Sequence, residues 1–266
     1  MTFAKYHGAG NDFILIDDRT TDYTATLDQS AIAHLCDRHF GIGADGLMLL
    51  NEHPDYDFEM VYYNSDGAPS SMCGNGGRCI VRFAADLGLP GPDYHFLAVD
   101  GPHHATLLQE KDWVSLEMND VSDIERTPGG AFVLDTGSPH YVTYKHDPAK
   151  VDVVSTGRGI RNSATYVEKG INVNFVRLEG DVLHIATYER GVEDETLACG
   201  TGVTAAVIVS QLFNELPEGG AFRQAVRAKG GELAVRGVYR EGVYTELWLE
   251  GPAEFVFRGE VGVGVD

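Results

Sequence analysis

Ser71-Met-Cys73-Gly-Asn-Gly-Gly-Arg78 and Leu197-Ala-Cys199-Gly-Thr-Gly202 are the two stretches that decide how this chain is read. In each, a cysteine precedes a Gly-x-Gly step and then an apolar run, Cys79 to Leu87 in one case and Val203 to Phe213 in the other. The glycines let a ligand approach the backbone closely, and the apolar runs read as helices. A helix beginning at either cysteine would turn its free N–H groups and positive dipole end toward the sulfur, which favours a thiolate and also binds a carboxylate. Two thiols so placed suit removal of a proton from one face of a carbon and delivery to the other.

The two stretches hold corresponding places in a duplicated chain. Gly10 matches Gly137, Asp45 matches Asn172, Asn64 matches Arg190, Cys73 matches Cys199 and Gly101 matches Gly230, at separations that stay between 126 and 129. A constant offset over five ordered landmarks is the mark of an internal repeat. The expected division is 1–127, carrying Cys73, and 128–266, carrying Cys199, with the last strand packing on the first half.

Composition narrows the class. A chain of 266 residues fits two domains with a core each. With 20 Lys+Arg against 40 Asp+Glu, the net charge of −20 repels phosphate backbones and anionic lipid, so neither nucleic acid nor membrane is an expected partner. No basic region followed by an apolar stretch opens the chain, and its apolar runs fall short of a membrane span, so a cytoplasmic protein is expected. Four cysteines without a secretion signal read as thiols. Cys36 lies on an apolar stripe with Ile32 and Leu35, in a helix running from a Ser30 cap toward a stop at Gly41, and reads as core. Cys79 reads the same way.

Other motifs carry no chemistry. Gly41-Ile-Gly43-Ala-Asp-Gly46 has the glycine spacing of a dinucleotide fingerprint, but it follows a helix and enters the strand Leu47–Leu50, the reverse of the required order. No phosphate-binding loop, no H-E-x-x-H and no zinc spacing occurs, so no metal and no cofactor is expected. Most remaining segments read as strands separated by Gly, Asp and Asn turns: Phe13–Ile16, Phe58–Tyr63, Trp113–Met118, Val182–Tyr188 and Thr245–Leu249. The predicted fold is α+β, with two pseudo-symmetric domains, each a curved, mostly antiparallel, barrel-like sheet around a central helix.

Six motifs in this order resemble the diaminopimelate epimerase family: Tyr6-His-Gly-Ala-Gly-Asn11-Asp-Phe, Gly41-Ile-Gly-Ala-Asp45, Tyr63-Asn64-Ser-Asp-Gly67, Met72-Cys73-Gly74-Asn75-Gly76, Asn172-Val-Asn-Phe, and Tyr188-Glu189-Arg190-Gly with Ala198-Cys199-Gly200-Thr201-Gly202. The resemblance runs nearly end to end. It implies a pyridoxal-independent isomerase of lysine and peptidoglycan precursor synthesis that interconverts LL- and meso-diaminopimelate, with Cys73 and Cys199 as the catalytic pair. It also implies substrate contacts from Asn11, Asn64, Gly74, Asn75, Asn172, Glu189, Arg190, Gly200 and Thr201. Arg190 suits a bidentate grip on the distal carboxylate.

Two positions depart from the family pattern. Ser138, in Gly137-Ser-Pro-His140, stands where many members have Asn, and Gly46 stands where some have Gln. Ser138 and His140 are placed on the substrate side, and the changes are expected to alter affinity and leave the reaction type intact. The partner expected is the small-molecule substrate, with a homodimer left open. The alternatives are a related two-cysteine racemase of the proline or hydroxyproline type, and a thiol redox-responsive binding protein. A thiol-free isomerase of related fold is disfavoured by the presence of both cysteines.

Overall fold

The computed structural model describes residues 1–70, 72–109, 113–213 and 219–262. In chain order its elements are β1 (Thr2–Gly8), β2 (Asn11–Asp17), α1 (Tyr23–Thr26), α2 (Gln29–Cys36), β3 (Gly46–Asn51), β4 (Phe58–Asn64), α3 (Gly74–Asp86), β5 (Asp93–Ala98), β6 (Gly101–Leu108) and β7 (Trp113–Glu117). They continue with β8 (Ile124–Arg126), β9 (Phe132–Asp135), β10 (Pro139–Tyr144), α4 (Val153–Arg161), β11 (Asn172–Glu179), β12 (Val182–Glu189), β13 (Asp194–Thr196), α5 (Gly200–Gln211), β14 (Gly220–Ala228), β15 (Gly231–Arg240), β16 (Val243–Pro252) and β17 (Glu254–Glu260). Two compact units result, one of Met1–Leu116 with Pro252–Asp266, the other of Glu117–Gly251.

The first unit orders its strands β17-β1-β2-β3-β4-β5-β6, every ladder antiparallel except β2–β3 and β4–β5; β6 then pairs antiparallel with β7. The second orders them β8-β9-β10-β11-β12-β14-β15-β16, again antiparallel except at β10–β11 and β12–β14. Order and sense repeat ladder for ladder, as the constant spacing of landmarks predicts. The register refines one landmark: Phe13 pairs with Gly46 and His140 with Asn172, so Asn172 corresponds to Gly46, one residue on from Asp45.

Each sheet bends around one helix. In the first unit α3 packs against β1, β2 and β3 and also against β6. Strands five places apart in a flat sheet lie about 24 Å from each other, more than twice a helix diameter, so the sheet has to curve to meet the same helix. In the second unit α5 meets β9, β10, β11, β12, β14 and β15. The sequence of α5, Gly200–Gln211, is apolar on every side and buried except at Thr201, as expected of a helix enclosed by a sheet. α3 is buried from Gly74 through Val81.

α2 departs from the expected caps. Its N-cap is Asp28, whose side chain accepts from Ala31 N, and it ends at Cys36. Ser30 lies inside the first turn and donates to Asp28 Oδ1 at 2.8 Å. The carboxylate two residues upstream captures the free N–H first, and Asp37 takes the chain into an extended conformation before Gly41 is reached. Cys36 is core as expected, with Ile32 and Leu35, and burial pushes its thiol up to about 11.

Candidate active site

Cys73 and Cys199 are the N-cap residues of α3 and α5. Their backbones are nearly superposable, with φ −113° and ψ 126° at Cys73 and φ −113° and ψ 113° at Cys199, and neither sulfur caps its own helix. The first intrahelical bonds are Gly77 N to Cys73 O at 2.7 Å and Val203 N to Cys199 O at 2.9 Å. The N–H groups before them, at 74–76 and 200–202, point out of the helix start and carry its positive end. This sets Gly74, Asn75, Gly200 and Thr201 beside the sulfurs. A side chain at either helix start would displace a neighbour: a Cβ at Gly202 would fall 2.6 Å from Asn174 Oδ1, and one at Gly76 would meet the end of the Met48 side chain.

In the first unit, Asn11 and Asn75 join Cys73. Asn11 Nδ2 donates to Asp45 Oδ2 at 2.7 Å, which fixes the amide so that Oδ1 faces the thiol, 3.7 Å from Cys73 Sγ. Asn75 Nδ2 donates to the same Oδ1 at 3.3 Å. Behind them Asp12 receives Lys5 at 2.7 Å and Arg38 at 2.7 Å, and Arg38 also holds Asp45 at 2.7 Å. Burial would raise Asp12, but the bonds from Arg38 and Lys5 overcome it and lower the carboxyl to about 2. Asn64 ends β4 opposite Gly46, and its backbone closes a turn with Gly67 and Ala68. Gly46 has no space for a side chain, since a Cβ would lie 2.5 Å from Tyr62 and 2.6 Å from the carbonyl of Tyr63.

In the second unit, a directional relay reaches Cys199. His140 is wholly buried. Asn174 Nδ2 donates to Tyr141 O at 3.2 Å while its Oδ1 accepts from Thr187 at 3.0 Å, so the amide presents a donor to His140 Nδ1, 3.1 Å away. Nδ1 is therefore the acceptor and Nε2 carries the proton, an assignment inferred from the network. Nε2–H donates to Thr201 Oγ1 at 2.9 Å, which leaves the Thr201 hydroxyl to donate to Cys199 Sγ at 3.5 Å. Burial, with a smaller contribution from the charge of Arg190, lowers His140 to about 3, so the ring is neutral at physiological pH.

The remaining expected residues gather beside this relay. Asn172 donates to Ser138 Oγ at 2.9 Å and to Pro139 O at 3.1 Å, and its Oδ1 accepts from Arg190 N at 2.8 Å. The Arg190 guanidinium is exposed, held by Lys169 O at 3.0 Å and Ser138 Oγ at 3.3 Å. Ser138 thus bridges Asn172 and Arg190. Glu189 ends β12 opposite Asp194.

The sequence reading gave Asn174 no role. Its signal was present in Asn172-Val-Asn174, two amides on one face of a buried strand, where alternate residues share a side. Asp45, which orients Asn11, enters the sequence reading as a landmark and as the end of a family motif, with no role of its own at the site. Among the described residues no group of three or more His, Cys, Asp or Glu is placed to hold a metal ion, and no helix is long and apolar enough to cross a membrane.

The family model for diaminopimelate epimerase matches residues 3–123 and 132–256, one match in each repeat. The chain belongs to the diaminopimelate epimerase family. Among its relatives, the diaminopimelate epimerase of Flavobacterium psychrophilum is 45% identical over 97% of this chain and 99% of its own. That of Chlorobaculum tepidum is 42% identical, covering 96% and 98%. The fold extends beyond this epimerase family. A Bacillus anthracis phenazine biosynthesis protein of the PhzF family has a TM-score of 0.74 at 11% identity, covering 98% of both chains. A hydroxyproline epimerase from Agrobacterium vitis has a TM-score of 0.66 at 14% identity, covering 97% of this chain and 91% of that one.

Proposed function

We propose that this protein is a cytoplasmic isomerase that epimerises LL-2,6-diaminopimelate to meso-diaminopimelate, with Cys73 and Cys199 as its acid–base pair. The observation that carries the reading is the repeated placement of a cysteine at the N-cap of a buried helix, once in each half of a duplicated chain of this family. The α-hydrogen of an amino acid is a very weak acid. The site must stabilise the carbanion that forms, and helix N-termini directed at the α-carboxylate do so while charge moves onto it. One sulfur, as thiolate, takes the hydrogen; the other, as thiol, supplies a proton to the opposite face, and the configuration inverts.

The hydrogen-bond polarities support a division of labour for LL substrate. Cys199 accepts from Thr201, which favours its thiolate, and Cys73 faces an acceptor on Asn11, which favours its thiol. In the forward direction Cys199 is then the base and Cys73 the acid, and the reverse reaction exchanges them. Arg190, with Asn172, Ser138, Asn64 and Glu189, takes the distal amino-acid end. The free donors of an exposed guanidinium favour a substrate with a second carboxylate over a proline-like one.

Solvent-deuterium incorporation at the α-carbon of LL-diaminopimelate, followed by NMR under reducing conditions, tests the proposal. Exchange with inversion is expected, lost in Cys73→Ala and in Cys199→Ala. The shared fold with a hydroxyproline epimerase favours one second reading, a proline-type racemase, for which exchange of proline in place of diaminopimelate would speak.

The protein is further proposed to work as a homodimer through β17. This strand has its ladder along β1 and exposes Phe255, Val256 and Phe257. A two-fold antiparallel pairing centred on Val256 sets Phe255 against Phe257, and Glu254 against Arg258 of the partner subunit, so the edge is complementary to itself.

A further inference from the structure

Arg78 closes the motif that begins at Cys73, and its side chain is wholly buried. The guanidinium folds back toward the helix start, donating from Nη1 to Gly74 O at 3.3 Å, from Nη2 to Asn75 Oδ1 at 3.0 Å and from Nε to Pro252 O at 3.4 Å. All three acceptors are neutral, and no carboxylate among the described residues pairs with it. Gly8 makes room for it, since a Cβ there would lie 3.3 Å from Nη2 and 3.0 Å from Asn75 O. A buried cation with hydrogen bonds to neutral acceptors alone remains costly, and it stabilises a negative charge that forms nearby during turnover.

The surrounding charges do not supply that anion. Lys5 on β1, Asp12 on β2, Arg38 after α2 and Asp45 before β3 satisfy one another. His7 on β1 faces Glu254 at 3.7 Å, and on β6 His103 and His104 face Asp100 and Asp93. At the far end of α3, Asp86 is held by Tyr6 and Arg82. Burial raises the Cys79 thiol far above its ordinary range, so it stays neutral.

We propose that Arg78 is the fixed counter-charge of the Cys73 thiolate, a positioning residue that acts through the sulfur and through the orientation of Asn75. The inference rests on the two-thiol reading. When Cys73 delivers its proton, the S–H bond breaks, a C–H bond forms, and the negative charge moves from carbon to a sulfur at the helix start toward which the guanidinium is folded, bonded to Gly74 O and Asn75 Oδ1. At the equivalent turn of α5 stands Thr204, bonded to Gly200 O at 3.1 Å, so no cation serves Cys199 from that position. The duplicated halves ready their thiols by different means, a buried charge in one and a neutral relay in the other.

Iodoacetamide alkylation of the full-length protein, with Cys73 and Cys199 peptides quantified by mass spectrometry between about pH 6 and 10, tests this without turnover. In Arg78→Met the Cys73 midpoint is expected to rise by about one pH unit or more, which is about tenfold less reaction on its lower limb. Arg78→Lys should restore most of the loss, and the Cys199 profile should not move. A folded Arg78→Met protein with an unchanged Cys73 profile overturns the proposal, as does a Lys variant no better than Met. If the Met variant does not fold, Arg78→Gln, which keeps an amide donor for Asn75, takes its place in the same comparison. Absence of deuterium exchange in the natural protein, with the alkylation shift present, would refute the epimerase reading and leave the role of Arg78 standing.

Discussion

A buried imidazole that stays neutral links stability to pH. His140 titrates near 6.5 when unfolded and near 3 in the native protein, because burial disfavours its charged form and Arg190 adds to that. Between those values the unfolded chain binds more protons than the folded one. This contribution is therefore complete above about pH 6.5 and is lost as pH falls toward 3, at up to about 1.4 kcal/mol per pH unit. Urea unfolding at pH 7, 6, 5 and 4 should show the natural protein losing more stability than His140→Gln over that range; parallel curves would mean that His140 is not the group responsible. The catalytic candidates were legible because Cys-Gly-x-Gly is a local signal that needs no tertiary context. Asn174 and Arg78 were not. What gives them meaning is burial against partners fixed by strand pairing, such as the parallel ladder that sets His140 beside Asn172.

At the level of the elements, a glycine at each helix start does work that a better helix former would undo. Alanine has the higher helix propensity by about 1 kcal/mol, yet a Cβ at Gly202 would meet Asn174 Oδ1 at 2.6 Å and His140 Cε1 at 3.3 Å, both members of the relay. Gly202→Ala is expected to lower stability by about 1–3 kcal/mol in urea titration and to reduce turnover, because the relay must shift to admit the methyl group. A raised urea midpoint with full activity would show that the relay yields freely. The strands named from the sequence and the two enclosed helices were readable from their apolar patterning, whereas α4 was not anticipated. The ends of α2 were not, because Asp28 and Ser30 are both good caps two residues apart, and the Asp28 carboxylate accepts from both Ala31 N and the Ser30 hydroxyl, so the helix starts at the earlier one.

Across the molecule, the repeat is carried by the ladders more faithfully than by residue identities, which is why spaced landmarks revealed it and local similarity did not. Among the described residues β17 has its antiparallel ladder with β1, and its exposed side bears on the state in solution. Sedimentation velocity at micromolar concentration should give a dimer for the natural chain and a monomer for Val256→Asp, which sets two carboxylates against each other at the two-fold axis. A natural chain that sediments as a monomer would rule out pairing through this edge. The same strand has a second consequence. β8 follows the first unit in the chain yet pairs with β9 in the second, and β17 follows the second yet pairs with β1 in the first. Unit 2 is one uninterrupted segment, whereas unit 1 needs residues from both sides of it. On a ribosome the half that is made first is therefore finished last: its opening strand waits, with Phe3 and Tyr6 lacking Phe257 and Phe255, until the closing residues emerge.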